Sequence, residues 1–206
     1  MLLYIYRHGQ TRYNSEGIVQ GRGVDSSLNE RGQKEASLFY RYYQSQPFDM
    51  LITSTLKRTI ETAAAFEKKE LACIRLRDLE EIDWGVYEGK AANETMRAAY
   101  KGLLKSWSSG DYDACLEQGE SARQMGQRLQ RVIQYFRTLD AKQVLVCTHG
   151  GCLGFLMTLL QDLPLSEMPT FRHHNTGLCV FEYDGHKFHL IKQDDLTHLK
   201  PLEFEK

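Results

Sequence analysis

"YIYRHGQTRYN", residues 4–14, starts as an apolar strand and breaks off in Arg-His-Gly. "QVLVCTH", residues 143–149, repeats the pattern: an apolar run that closes on histidine, with glycine next. Two apolar strands that both end in a basic tip, remote in sequence, can converge on one edge of a sheet. Between them, "DMLITS" (49–54) and residues 73–76 read as further strands, with helical periodicity in each interval. Strands alternating with helices imply an α/β fold around a largely parallel sheet.

The helices have readable starts. Asn29 is placed to cap a helix carrying Ala36, Phe39, Tyr40 and Tyr43 at helical spacing. Ser54 is placed to cap the next, with Leu56, Ile60, Ala63 and Ala64 on one face. Residues 93–109 look helical, and "SSGDYDACLEQGES" (108–121) reads as loop. From Ser121 a long helix turns Ala122, Met125, Leu129, Val132, Ile133 and Phe136 to the core, leaving Arg123, Arg128, Arg131 and Arg137 mostly outside that stripe. Residues 151–161 are apolar nearly all round, as in a helix packed against a sheet. "GLCVFEYDGHKFHLIKQ" (177–193) reads as a hairpin turning at Asp184-Gly185. The chain is expected to be a single domain over 1–206, with residues 86–120 as a small helical insertion.

Bulk properties narrow the function. A net charge of −1 argues against a basic nucleic-acid surface. The five cysteines are scattered without a CxxC pair, which fits free thiols in a reducing, cytoplasmic setting. The N-terminal apolar run meets Arg7 too early for a signal peptide. "VLVCTHGGCLGFLMTLL" is interrupted by Thr148, His149 and three glycines, so no membrane span is expected. Association of two chains through a sheet edge or the insertion is left open.

In open α/β sheets ligands bind beyond the carboxyl ends of the strands. Arg7-His8, Arg58 and His149 fall there, two arginines and two histidines suited to an anion. Guanidinium forks match phosphate oxygens in charge-assisted pairs, and Arg58 lies in a first helical turn whose free amides also favour negative charge. A neutral imidazole attacks phosphorus when its other ring nitrogen is held by an acceptor, and His8 is the candidate. His149 is expected to donate to the transferring oxygens. A leaving alkoxide needs a proton, and "LEEIDWG" offers Glu80, Glu81 and Asp83, among which residue chemistry alone does not choose. Each piece has an ordinary structural reading as well: a capped helix, a core histidine, a solvated charge. Their joint placement after separate strands favours the phosphoryl site. A metal centre is disfavoured by the flanking arginines and by the lack of HxH or HExxH spacing, and no GxxxxGK[ST] loop occurs. No cofactor is expected.

With these residues in view, the chain resembles the histidine phosphatase superfamily, the phosphoglycerate mutase-like proteins. "RHGQTRYN" (7–14), "SLNERG" (27–32), "STLKRTIETA" (54–63), "EIDWGVYEG" (81–89), "GES" (119–121) and "THGG" (148–151) occur in the order expected of it, across residues 2 to about 184. The resemblance implies a three-layer α/β sandwich and metal-independent chemistry through a phosphohistidine. It implies His8 as the phosphorylated nucleophile, Arg7, Arg58 and His149 as the phosphate pocket, and Glu81 as proton donor. Asn14, Gln20, Gly21 and the backbone of Gly150 are implied as further substrate contacts. The cofactor-dependent mutases of the family carry a longer insertion with an Arg-Arg pair. This chain has no Arg-Arg dipeptide, so water is the expected acceptor and a small phosphomonoester the expected substrate. The insertion is expected to roof the pocket with Tyr87, Tyr100 and Trp107 beside Arg97, Lys101 and Lys105.

Overall fold

The structure is a computed structural model and describes residues 1–68, 71–171 and 173–204. Four strands form its parallel part: β1 (Leu2–Arg7), β2 (Met50–Thr53), β3 (Ala72–Arg75) and β4 (Gln143–Thr148). β5 (Leu178–Tyr183) and β6 (Phe188–Asp195) add an antiparallel edge, and the order across the sheet is β3-β2-β4-β1-β5-β6. The expected strands are present, with ends displaced by a residue or so.

Side-chain alternation along β1, β2 and β4 divides the core. Leu3, Ile5, Val144 and Val146 face one side and pack with Leu129, Val132, Phe136, Phe155 and Leu156. Those partners come from helices α5 (Ala122–Arg137) and α6 (Gly150–Leu160). Tyr6, Leu51, Leu145 and Cys147 face the other side and pack with Phe39, Tyr43, Ala63 and Phe66. Those belong to α2 (Glu30–Tyr43) and α3 (Lys57–Glu67). The result is the three-layer α/β sandwich, with a short α1 (Arg12–Glu16) and an outlying α4 (Glu94–Ser108).

Local signals account for the boundaries. Asn29 caps α2 by accepting from Gly32 N, and Ser121 opens α5 with a full capping box to Gln124. At the hairpin tip Asp184 accepts from the amides of His186 and Lys187, and Gly185 takes the positive φ of 104° the turn demands. Ser54 departs from expectation. The cap position of α3 is Leu56, with no side-chain cap bond; the Ser54 hydroxyl accepts from Leu56 N at 3.2 Å, two residues too early to cap the helix, and has further partners in the site. Trp107 also departs: it is fully buried, edge-on to Phe155, with its indole N–H on Ala114 O, so it fills the core. No helix among the described residues is long and apolar enough to cross a membrane.

Candidate active site

Strand register builds the site. β1 and β4 pair in parallel with Arg7 opposite Thr148, and β4 pairs with β2 so that Cys147 lies opposite Thr53. The next residues, His8, His149 and Ser54, therefore emerge side by side at one edge. The rings of His8 and His149 stand 5.2 Å apart, centroid to centroid.

His8 is buried, and its Nδ1 lies 2.7 Å from Gly9 O. A carbonyl only accepts, so Nδ1 carries the proton and Nε2 carries the lone pair. Burial, then the charges of Arg58 and Arg7, hold this imidazole well below its usual pKa range. The ring is held neutral, with its lone pair on Nε2. Its carbonyl accepts from Asn175 Nδ2 at 2.9 Å, and its amide donates to Thr148 O at 2.9 Å.

His149 is the cap residue of α6 and fully buried. Arg58 Nε donates to its Nδ1 at 3.0 Å, so the proton lies on Nε2 and goes to Ser54 Oγ at 2.7 Å. Its pKa too is pushed well down, by burial first and Arg58 next. The expectation of a His149 ring donating outward is thus not what the structure holds: both ring nitrogens face protein partners.

Arg58 is fully buried, with Nη1 on Val24 O at 2.7 Å and Nη2 on Gly21 O at 3.2 Å. Three of the five guanidinium N–H groups are so engaged, which leaves two among the described residues. Arg7 gives Nη1 to His173 O at 2.9 Å, while its Nε is buried without a partner among the described residues. A buried donor in that condition is costly unless an acceptor arrives. Gly150 lies against it; a Cβ there would stand 3.2 Å from Arg7 Nε.

The three carboxylates that residue chemistry left open are separated by their partners. Glu80 is tied to Arg22 at 2.7 Å and to the Thr55 hydroxyl. Asp83 accepts from Gly85 N at 2.8 Å across its own turn. Glu81 alone reaches the start of α6: Oε2 accepts from Gly151 N at 2.9 Å, and Oε1 from Cys152 N at 2.8 Å and Ile82 N at 3.0 Å. A Cβ on Gly151 would come 2.6 Å from Glu81 Oε1, so only glycine admits this seat.

Asn14 and Gln20 are drawn into internal bonds. Asn14 Oδ1 accepts from Thr11 N in the α1 capping box, and Gln20 Nε2 donates to Thr11 Oγ1 at 2.7 Å. Gly21 contributes its carbonyl to Arg58 and abuts Glu88, whose carboxylate leaves no room for a side chain there. A cavity of about 260 Å³ adjoins, lined by Val19, Gln20, Trp84, Tyr87, Met96, Arg97, Tyr100 and Leu116. It shares Gln20 with the loop that holds Arg58, and Tyr100 lies in the field of Glu81. The expected Lys101 and Lys105 do not line it.

Two residues of the site escaped sequence reading. Ser54 was assigned to helix capping, yet it accepts the His149 proton and bonds Thr59 Oγ1 at 2.9 Å. Arg128 was placed outside the α5 stripe but is buried, gripping the 78–81 backbone. Its spacing from Met125 and Val132, three and four residues, was the available signal: a charge at a core register. Among the described residues no group of three or more His, Cys, Asp or Glu side chains is placed to hold a metal.

This fold and this edge define a class. Residues 3–195 match the model of the histidine phosphatase superfamily, branch 1, and the chain belongs to that family of enzymes. It is 27% identical to phosphoserine phosphatase 1 of Hydrogenobacter thermophilus, over 96% of this chain and 93% of that one. It is 28% identical to the "Probable phosphoglycerate mutase GpmB" of Cronobacter sakazakii, over 88% and 84%. Among solved structures, YhfR of Bacillus stearothermophilus superposes with a TM-score of 0.84 at 30% identity, covering 97% of this chain and 99% of that one.

Proposed function

We propose that the chain is a metal-independent phosphomonoesterase working through a phosphohistidine on His8, with Glu81 as proton donor and water as final acceptor. The observation that carries this is the lone pair on His8 Nε2, set beside His149 and two arginines with unspent donors. A phosphoryl group entering there takes the free Arg7 Nε and the two remaining Arg58 donors. If it also draws Arg58 Nε, the lone pair of His149 Nδ1 is released to accept a proton from a monoanionic phosphoryl oxygen, and the N–H so formed donates back to that oxygen.

In the first step His8 Nε2 forms a bond to phosphorus as the ester P–O bond breaks. The leaving oxygen keeps that electron pair and takes a proton from Glu81. Oε2, which accepts from one amide where Oε1 accepts from two, is the oxygen left to carry that proton. The phosphoimidazolium is stabilised through Nδ1–H on Gly9 O. In the second step the Glu81 carboxylate takes a proton from water, water oxygen bonds phosphorus, and the N–P pair returns to Nε2.

The ester group lies in the adjoining cavity, where Trp84, Tyr87 and Tyr100 suit a ring-bearing or otherwise apolar moiety and Arg97 suits an acid on it. Phosphoserine belongs in the test panel because a relative is named for it. The second reading, a mutase, is favoured by the relative named phosphoglycerate mutase. Against it, Arg97 is the single cation lining this cavity among the described residues, too few to grip a second phosphorylated acid. The test is phosphate release from 4-nitrophenyl phosphate, phosphoserine and 3-phosphoglycerate in excess chelator, for the native protein and His8→Ala. Chelator-insensitive release lost in H8A is expected. Isomerised phosphoglycerate without release would favour the mutase, and release surviving in H8A would sink both.

A further inference from the structure

Arg128, on α5, spends every donor it has inside the protein. Its Nε and one Nη2 hydrogen go to the Glu120 carboxylate at 2.7 and 2.9 Å. Nη1 donates to Asp78 O at 2.6 Å and Glu80 O at 2.9 Å, and Nη2 to Glu81 O at 3.1 Å. Five bonds exhaust the five N–H groups of a guanidinium, so nothing remains for a ligand. Both members of the Arg128–Glu120 pair are buried, their side chains 5% and 9% exposed. A buried pair of this kind repays little of its desolvation as stability. What it does supply is geometry: bonds to three carbonyls, those of Asp78, Glu80 and Glu81, along the segment that carries Glu81.

We propose that Arg128 is a positioning residue for the proton donor, fixing the Glu81 backbone so that the carboxylate reaches both the α6 amides and the leaving oxygen. The inference rests on Glu81 being the donor, as read above. The carboxylate is anchored by Gly151 N and Cys152 N, and the backbone carbonyl of the same residue by Arg128. If the second anchor slips, the carboxyl moves while His8 and the arginines stay. Attack on phosphorus then survives and protonation of the leaving group suffers. Lysine keeps the charge toward Glu120 but cannot span a carboxylate and three carbonyls.

The test is kcat/KM for two substrates that fit one cavity, 4-nitrophenyl phosphate and a phenylalkyl phosphate. The first expels a stable phenolate that needs no proton, the second an alkoxide that does. Their ratio within one preparation is independent of the folded fraction. In Arg128→Lys the alkyl ester is expected to lose at least about tenfold more than the aryl ester. Glu81→Gln should show the same selectivity, larger. Glu120→Gln slackens the clamp from its other end, should show it to a smaller extent, and serves if R128K does not fold. Selectivity in E81Q with equal losses on both esters in R128K and E120Q would overturn the positioning role alone. No selectivity in E81Q would overturn the donor assignment, and this inference with it.

Discussion

The proton on His8 Nδ1 determines which nitrogen keeps a lone pair, and a backbone carbonyl 2.7 Å away determines the proton. His149 holds the opposite tautomer, since Arg58 supplies its Nδ1 and Ser54 takes its Nε2 proton. Nitrogen NMR at pH 6 should therefore find both rings neutral, His8 as the Nδ1–H form and His149 as the Nε2–H form. A protonated His8 at that pH would contradict the lowering by burial and by Arg58 and Arg7. Gly151 is the second residue where one atom matters. Gly151→Ala places a methyl 2.6 Å from Glu81 Oε1 and should displace the carboxylate. Turnover of alkyl phosphates should fall by about 10² or more, a typical general-acid contribution, with aryl phosphates less affected. Equal turnover of both substrates in native protein and G151A would show that the seat is not used.

At the scale of elements, α6 organises the chemistry and α5 supports it. The first turn of α6 presents His149, the approach to Arg7 at Gly150, and the two amides that hold Glu81. Its apolar body fixes that turn, with Cys152, Leu153, Phe155 and Leu156 all fully buried. Trp107 of α4 closes this packing against Phe155 and should behave as a core residue. Trp107→Ala is expected to lower unfolding stability by about 3–5 kcal/mol, read from urea melts. A loss below about 1 kcal/mol would mean α4 docks loosely and that the tryptophan faces ligand after all.

Across the whole molecule, buried imidazoles link stability to pH. His173 and His198 are held down at about 4 by burial, and His8 and His149 lie well below the usual range. Below about pH 6.5 the unfolded chain binds protons at these positions and the native protein does not. Stability should thus be fully present above that pH and fall as pH drops toward 4, by at most about 1.4 kcal/mol per pH unit for each such histidine. His198→Gln should flatten the profile between pH 4 and 6.5, measured by urea melts across pH. An unchanged slope would show that His198 is protonated alike in both states.

The sequence by itself determined the strand–helix alternation, most caps, the ordered motifs, and the residues at the strand tips. These depend on neighbours within a turn or two, where propensity and periodicity act. It did not distinguish Glu80, Glu81 and Asp83 by residue chemistry, because adjacent carboxylates differ only in which remote partners they meet. It placed Ser54 at a helix cap and Arg128 mostly outside the core-facing stripe because both placements are locally plausible. The bonds that override those roles reach from residue 54 to 149 and from 128 to 78–81. Tertiary structure alone decided them: the parallel register of β1, β4 and β2 brings remote chain ends within hydrogen-bond distance, and burial then makes each unsatisfied polar group costly enough to fix its partner.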